Sequence, residues 1–284
     1  MTVHACRVLF IAMCVGAVPT LSLAQQRPLV TEDPETVGEG RILMEGGVDY
    51  RRNVVFPASG LEGHLLRGAL FGVSVGISSI AELQIDAGFL NRLAITQRGR
   101  APLSGMVDVV GDHASSVEDV VVATKIRVLA EGTRRPSVGL RFATKLPNAS
   151  NESGLGLGTT DFYVSMLLGK TTRSVRVVGN AGLGILGDPT RGDRQNGVLT
   201  YGLSFARALT NAAEIVGEIN GRADTRAGEP PPGTESRSTV RLGGRYTVGG
   251  FRADAALLLG ITANDPAVGF AAGLTYAFSS FQVP

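Results

Sequence analysis

Few residues in this chain could do covalent chemistry. It has three histidines, and its two cysteines, Cys6 and Cys14, both fall within the first 15 residues. A hydrolytic site needs a nucleophile with a base within hydrogen-bond reach. The nearest hydroxyl upstream of His64 is Ser59, in a predicted loop rather than on a rigid strand. His113 shares the longest predicted loop with Asp108, Asp112, Glu118 and Asp119. Such hard oxygen donors could take a divalent cation, although a solvated acidic loop is the simpler reading. Gly182, Gly184 and Gly187 match G-x-G-x-x-G, but a dinucleotide site needs that loop between a strand and a helix. Here Asp188-Pro189 follows, with no helical pattern. Gly154, Gly156 and Gly158 form a similar decoy. The expectation is no enzyme, no cofactor and no metal site.

Charge is the more abundant resource, and its use depends on the elements that carry it. After residue 24 the recurring pattern is a period of two in segments of about ten residues, which is strand periodicity rather than the i, i+3, i+4 pattern of a helix. Twelve such segments run at 41–52, 64–77, 81–94, 118–129, 136–147, 158–169, 174–186, 197–207, 213–225, 236–247, 250–262 and 267–278. One face is aliphatic or aromatic, as in Val138, Leu140, Phe142 and Leu146. The other is small, polar or charged, with many of the 38 glycines. The polar parity carries Glu45, Asp49, Asp86, Asp119, Lys125, Arg127, Arg141, Lys145, Asp161, Arg176, Glu214, Glu218, Arg222, Arg241, Arg245, Arg252 and Asp254. Bases gather on segments four, five, ten and eleven, and acids on one to three and nine.

The links between segments alternate between short (78–80, 130–135, 170–173, 208–212, 248–249) and longer, polar and rich in Gly and Pro (53–63, 95–117, 148–157, 187–196, 226–235, 263–266). That alternation around an even strand count is the pattern of an outer-membrane barrel, which has short periplasmic turns and long external loops. A strand in lipid must pair every backbone group, so the sheet must close. The expected fold is therefore an all-β, transmembrane antiparallel β-barrel of about 12 strands, spanning 41–284. Its charged parity lines a wet lumen, either as a salt-bridged interior or as a polarised pore. No run after residue 24 has 18 consecutive apolar residues, and a β-barrel needs none. Arg7, the apolar run Val8–Val18, Pro19 and Ser22-Leu23-Ala24 read as a signal peptide over 1–24. Cleavage removes both cysteines. Residues 25–40 are then a periplasmic N-terminal extension. The 27 bases nearly balance the 25 acids without a polybasic stretch, so no nucleic-acid partner is expected.

With both termini periplasmic, Phe205, Tyr246, Phe251, Tyr276 and Phe278 fall near one membrane interface, and Tyr50 and Phe270 near the other. The last segment, Val268 to Phe278, resembles the C-terminal strand that such barrels present to the barrel-assembly machinery, with Ser279 to Pro284 beyond it. Thr31-Glu32-Asp33-Pro34 through Gly40, Leu146-Pro147 with Gly154 to Phe162, Gly187-Asp188-Pro189 and Gly273-Leu274-Thr275-Tyr276 together resemble the meta-pathway phenol-degradation family of outer-membrane transporter-like β-barrels. The resemblance implies a passive channel or transporter for small, often hydrophobic or aromatic, molecules. Its partners would be outer-membrane lipid and a small-molecule solute. The alternatives are a structural or surface-interaction envelope barrel with an occluded lumen and, through His64, an outer-membrane lipid hydrolase, since outer-membrane phospholipases are also twelve-stranded.

Overall fold

The structure is a computed structural model and describes residues 27–280, so the expected signal peptide lies outside the described residues. Thirteen strands form one antiparallel sheet: β1 Arg41–Phe56, β2 Leu61–Gly76, β3 Ala81–Arg98, β4 His113–Ser116, β5 Val120–Leu129, β6 Ser137–Leu146, β7 Asp161–Thr172, β8 Val175–Gly187, β9 Gln195–Ala208, β10 Ala213–Asp224, β11 Arg237–Val248, β12 Phe251–Gly260 and β13 Val268–Ser279. Apart from β4 and β5, which both pair with β3, each pairs with its neighbours in sequence order, and β1 pairs with both β2 and β13, so the sheet closes. The short β4 and β5 share one position, with β4 opposite Asn91–Ala94 of β3 and β5 opposite Ala81–Asp86. The result is a twelve-stave barrel.

Membrane strands need about 9–11 residues. β5, β6 and β12 have 10. β1 and β2 have 16 and β3 has 18, so these three overhang the rest at the end bearing the long loops. The β1–β2 link, expected over 53–63, is only the turn 57–60. Val54 and Phe56 keep pairing, with Gly63 and Leu61. The reason is burial: Val54, Leu61, Leu65, Leu93, Ala114 and Leu155 form an apolar cluster, with Phe56, Ile95, Val107 and Val109 against it. This cluster joins the overhanging strands to the loops 99–112 and 147–160.

The two faces of the wall invert the order of a soluble protein. Leu203, Leu257 and Leu274 are 55%, 59% and 62% exposed on the outside, while Lys125 and Glu82 inside are 0% exposed. Leucine outside and lysine inside is stable only with lipid around the wall and partners within it. Aromatic rings mark the end that carries the termini. Phe251 stacks on Tyr276 at 4.3 Å between centroids, and Tyr276 on Phe278 at 5.4 Å. Towards the other end, Tyr50 lies opposite Phe270 and 6.5 Å from the His64 ring. Alternation slips by one residue in β2 and β3, where Ala69 takes a positive φ of 46° and Phe89 and Leu90 both face outward.

Candidate functional site

The lumen is the candidate site, and residues 27–40 occupy it. The sequence reading makes 25–40 a periplasmic N-terminal extension; in the structure the contacts of 27–40 are with the inner wall. It carries four carboxylates, Glu32, Asp33, Glu35 and Glu39, against one base, Arg27. Pro28 and Pro34 remove two backbone donors, and none of these residues belongs to a strand.

Wall side chains therefore satisfy its backbone. Glu218 accepts the Val30 N–H at 2.9 Å and the Thr31 N–H at 2.8 Å. The same carboxylate accepts Asn220 Nδ2 at 2.7 Å and Arg241 Nη1 at 3.0 Å. Asn180 clasps the next residue on both sides: its Oδ1 accepts the Glu32 N–H at 2.7 Å, and its Nδ2 donates to the Glu32 carbonyl at 2.8 Å. Glu82 accepts the Val37 N–H at 2.6 Å.

The acids of the segment meet the bases of β5, β6 and β8. Glu32 pairs with Arg141 at 2.9 Å and Lys125 at 3.5 Å. Lys125 also holds Glu82 at 2.9 Å. Asp33 takes Arg176 through two parallel hydrogen bonds, and Glu35 takes Arg127. Such bidentate, charge-assisted contacts fix geometry as well as energy. At the start of the segment Arg27 donates to the Ala272 carbonyl at 2.8 Å and lies 3.6 Å from Asp254. Its N–H reaches Glu45 at 3.3 Å, and its carbonyl accepts Arg245 Nε at 2.8 Å. Glycines make the room. A Cβ at Gly169 would lie 2.9 Å from Pro34, and one at Gly202 would lie 2.8 Å from Thr31 Oγ1.

Most of the remaining expected lumen residues find partners on the wall. Asp49 holds Arg51 at 2.8 Å and Arg67 at 3.6 Å. Lys145 bridges Asp119 at 3.0 Å and Asp161 at 2.9 Å. Arg252 and Arg245 both reach Glu214 at 3.8 Å. Among the described residues Asp86 has only a distant Arg141, 3.9 Å away, and it is the most open of these acids. It borders a chamber of about 500 Å³ on the loop side of the segment, together with Val30, Lys145, Tyr163, Asn180, Arg222 and Arg237. A smaller space of about 210 Å³ lies between the segment and the terminal end, beside Arg176 and Arg252.

Sequence reasoning missed several of these partners. Glu82 and Gln84 share the parity of Asp86 and could have been found by it. Arg67 could not, because the slip at Ala69 reverses its face; it pairs with Glu118. Arg237 continues the parity of Arg241. The acidic run from Glu32 to Glu35, facing a wall with an excess of bases on segments four and five, was the available signal for the lumen segment.

The residues weighed for other chemistry are dispersed. His64 lies on the outward parity of β2, where Nδ1 accepts the Asn53 N–H at 3.4 Å. Ser59 is buried with its Oγ at 3.5 Å from the Leu61 N–H. Glu118 and Asp119 turn to Arg67 and Lys145, away from His113. Gly182 and Gly184 lie within β8. Beyond the membrane segments, Asp188 caps its turn by accepting the Thr190 N–H at 2.8 Å and the Thr190 hydroxyl at 2.6 Å. Burial alone would raise its pKa; these donors outweigh it and hold the carboxyl below its ordinary range.

The fold is similar to that of the COG4313 outer membrane channel from Pseudomonas putida F1, with a TM-score of 0.65 and 11% identity over 87% of this chain and 98% of that one. It is also similar to the translocator domain of the autotransporter NalP from Neisseria meningitidis, with a TM-score of 0.52 and 12% identity over 85% of this chain and 89% of that one. No curated protein sequence matches the chain. A family model does match, over residues 25–278 of the 284, and the chain belongs to the outer-membrane barrel family described as "Putative MetA-pathway of phenol degradation".

Proposed function

We propose that this barrel is a passive channel for small molecules with apolar bodies, and that residues 27–40 are its removable obstruction. One observation carries the reading: the lumen is filled by a segment outside the β-ladder, held by side-chain clasps and ion pairs. Ladder hydrogen bonds would make it a permanent part of the wall. Ionic clasps can exchange for water as the segment shifts. The family membership and the channel that shares the fold support the same reading.

In this account a cleaved signal peptide exports the chain. The long loops face outward, and both termini lie on the periplasmic side. Lipid surrounds the leucine-rich face, and the assembly machinery receives β13. A solute enters beneath the apolar cluster of the loop end, occupies the chamber beside Asp86 and Tyr163, and moves on when the segment yields. Glu45, Asp49, Asp86, Lys145, Asp161, Arg241 and Arg252 line that path, and Lys125, Arg127, Arg141, Arg176, Glu218, Arg245 and Asp254 hold the obstruction. The barrel's role is passage rather than catalysis.

The density of the Glu218 and Lys125 clasps favours a second reading, an envelope barrel whose lumen never opens. Single-channel recording separates the two. Deleting residues 27–36 should raise conductance several-fold over an intermittently conducting wild type. A wild type that never conducts, beside a conducting deletion, would favour the occluded barrel.

A further inference from the structure

Two lumen arginines lack the carboxylate partner that the other bases around the segment possess. Arg222 and Arg237 stand directly opposite each other in the β10–β11 register. Like charges at opposed strand positions repel unless something neutralises them. Among the described residues neither has a carboxylate within 4.0 Å, whereas Arg67, Lys125, Arg127, Arg141, Lys145, Arg176, Arg241 and Arg252 all do.

Their hydrogen bonds leave capacity unused. Arg222 spends Nε on the Glu235 carbonyl at 2.9 Å and Nη2 on the Gly233 carbonyl at 2.6 Å. Arg237 reaches the Val55 carbonyl at 3.3 Å through Nη2, and its Nε is buried without a partner. Glu235 and Asp265 act on Arg237 through their charge but make no close ion pair with it. Asp265 accepts the Ser238 N–H at 2.8 Å and the Thr262 hydroxyl at 2.7 Å. Glu235 accepts the Gly233 N–H at 2.7 Å through Oε1, and its Oε2 is buried without a hydrogen-bond partner.

The pair also sits at a boundary. On one side is the polar chamber of about 500 Å³. On the other is a cavity of about 220 Å³ beneath the loops, lined by the same two arginines and by Phe56, Pro57, Leu155 and Leu157. A guanidinium recognises a planar carboxylate through a fork of N–H donors, and apolar walls accept a ring or short chain.

We infer that Arg222 and Arg237 form a recognition site for small organic carboxylates, with the anionic head between the guanidiniums and the apolar body against Phe56, Leu155 and Leu157. This rests on the channel reading and narrows it, from any small apolar molecule to aromatic or aliphatic monocarboxylates.

The test is isothermal titration of the full-length barrel in lipid nanodiscs with benzoate, benzyl alcohol and benzylammonium, against empty nanodiscs. Benzoate should bind at least tenfold more tightly than either of the other two. Arg237→Gln should remove that preference and leave benzyl alcohol binding within twofold. Arg134→Gln, at an exposed turn, should leave both unchanged. Arg222 anchors a loop, so Arg222→Lys serves as its variant, with heat-modifiable gel mobility as the folding check; it should weaken benzoate several-fold. Equal binding of benzoate and benzyl alcohol, or a preference that survives Arg237→Gln, would overturn the site. Binding is read without transport, so a barrel that passes benzyl alcohol but does not prefer benzoate sinks only this inference. Absence of passage for every probe sinks the channel reading instead.

Discussion

At the scale of residues, the interior is a set of charges that each need a specific neighbour. Lys125 is the extreme case, fully enclosed between Glu82 and Glu32. Removing one member of a buried pair leaves the others uncompensated, at a cost of about 3–5 kcal/mol. Lys125→Met should therefore lower barrel stability by about that amount, read from urea unfolding of the refolded protein. Lys170→Met, at the half-exposed pair with Glu131, should cost no more than about 1 kcal/mol. The Asp188 cap makes a pH prediction of definite sign. Its folded pKa is depressed, so its stabilisation is present above the ordinary carboxylate pKa and lost as pH falls through the folded value. Amide protection across 188–194, corrected for intrinsic exchange, should hold down to about pH 4 and fall below it. In Asp188→Asn that acid-dependent loss should disappear. The face of each candidate lumen residue was readable at this scale, because strand parity assigns one to every position. Their partners were not. Which base meets which acid depends on where 27–40 runs, and no local pattern encodes the path of an irregular segment.

Elements carry the division between lipid and lumen. Leu203 is central in β9 and faces outward. A charge at that depth costs about 2–4 kcal/mol. Leu203→Arg should lower unfolding stability in lipid vesicles by that amount, whereas Thr200→Arg, facing the chamber, should change it less. The terminal-end turns offer a gain. Arg173 holds φ at 56° in a two-residue hairpin turn, where the corresponding turn after β11 places Gly249 at φ 60°. Left-handed backbone costs a non-glycine residue about 1–2 kcal/mol, so Arg173→Gly should raise the unfolding midpoint. Strand boundaries were readable from alternation to within about three residues at most ends. The exceptions are instructive. β1–β3 run past the membrane because Val54, Leu61 and Leu93 are drawn into the loop-end cluster, and β4 exists only because β3 is long enough to receive it. Those extensions depend on contacts far apart in sequence, and the slip at Ala69 hid Arg67 by reversing its face.

The whole molecule is a closed wall with residues 27–40 inside it. Closure was legible from the even number of segments and their alternating links. Occupancy was not, because the same acidic segment fits either a free extension or a lumen filling until its partners are known. If solutes pass when 27–40 moves, holding that segment in place should stop them, and one pair of positions can hold it. A Cβ built at Gly202 lies 3.4 Å from Thr31 Cβ, close to disulfide geometry. The chain has no cysteine beyond Cys14 to interfere. Thr31→Cys with Gly202→Cys can therefore lock the segment on oxidation. The measurement is entry of radiolabelled benzyl alcohol into vesicles whose outer leaflet contains lipopolysaccharide, with protein-free vesicles as the baseline. Wild-type entry should run well above baseline, entry through the oxidised double variant should fall to baseline, and reduction should restore it. Entry by the oxidised lock equal to that of the reduced protein, or wild-type entry no faster than protein-free vesicles, would contradict passage by movement of 27–40.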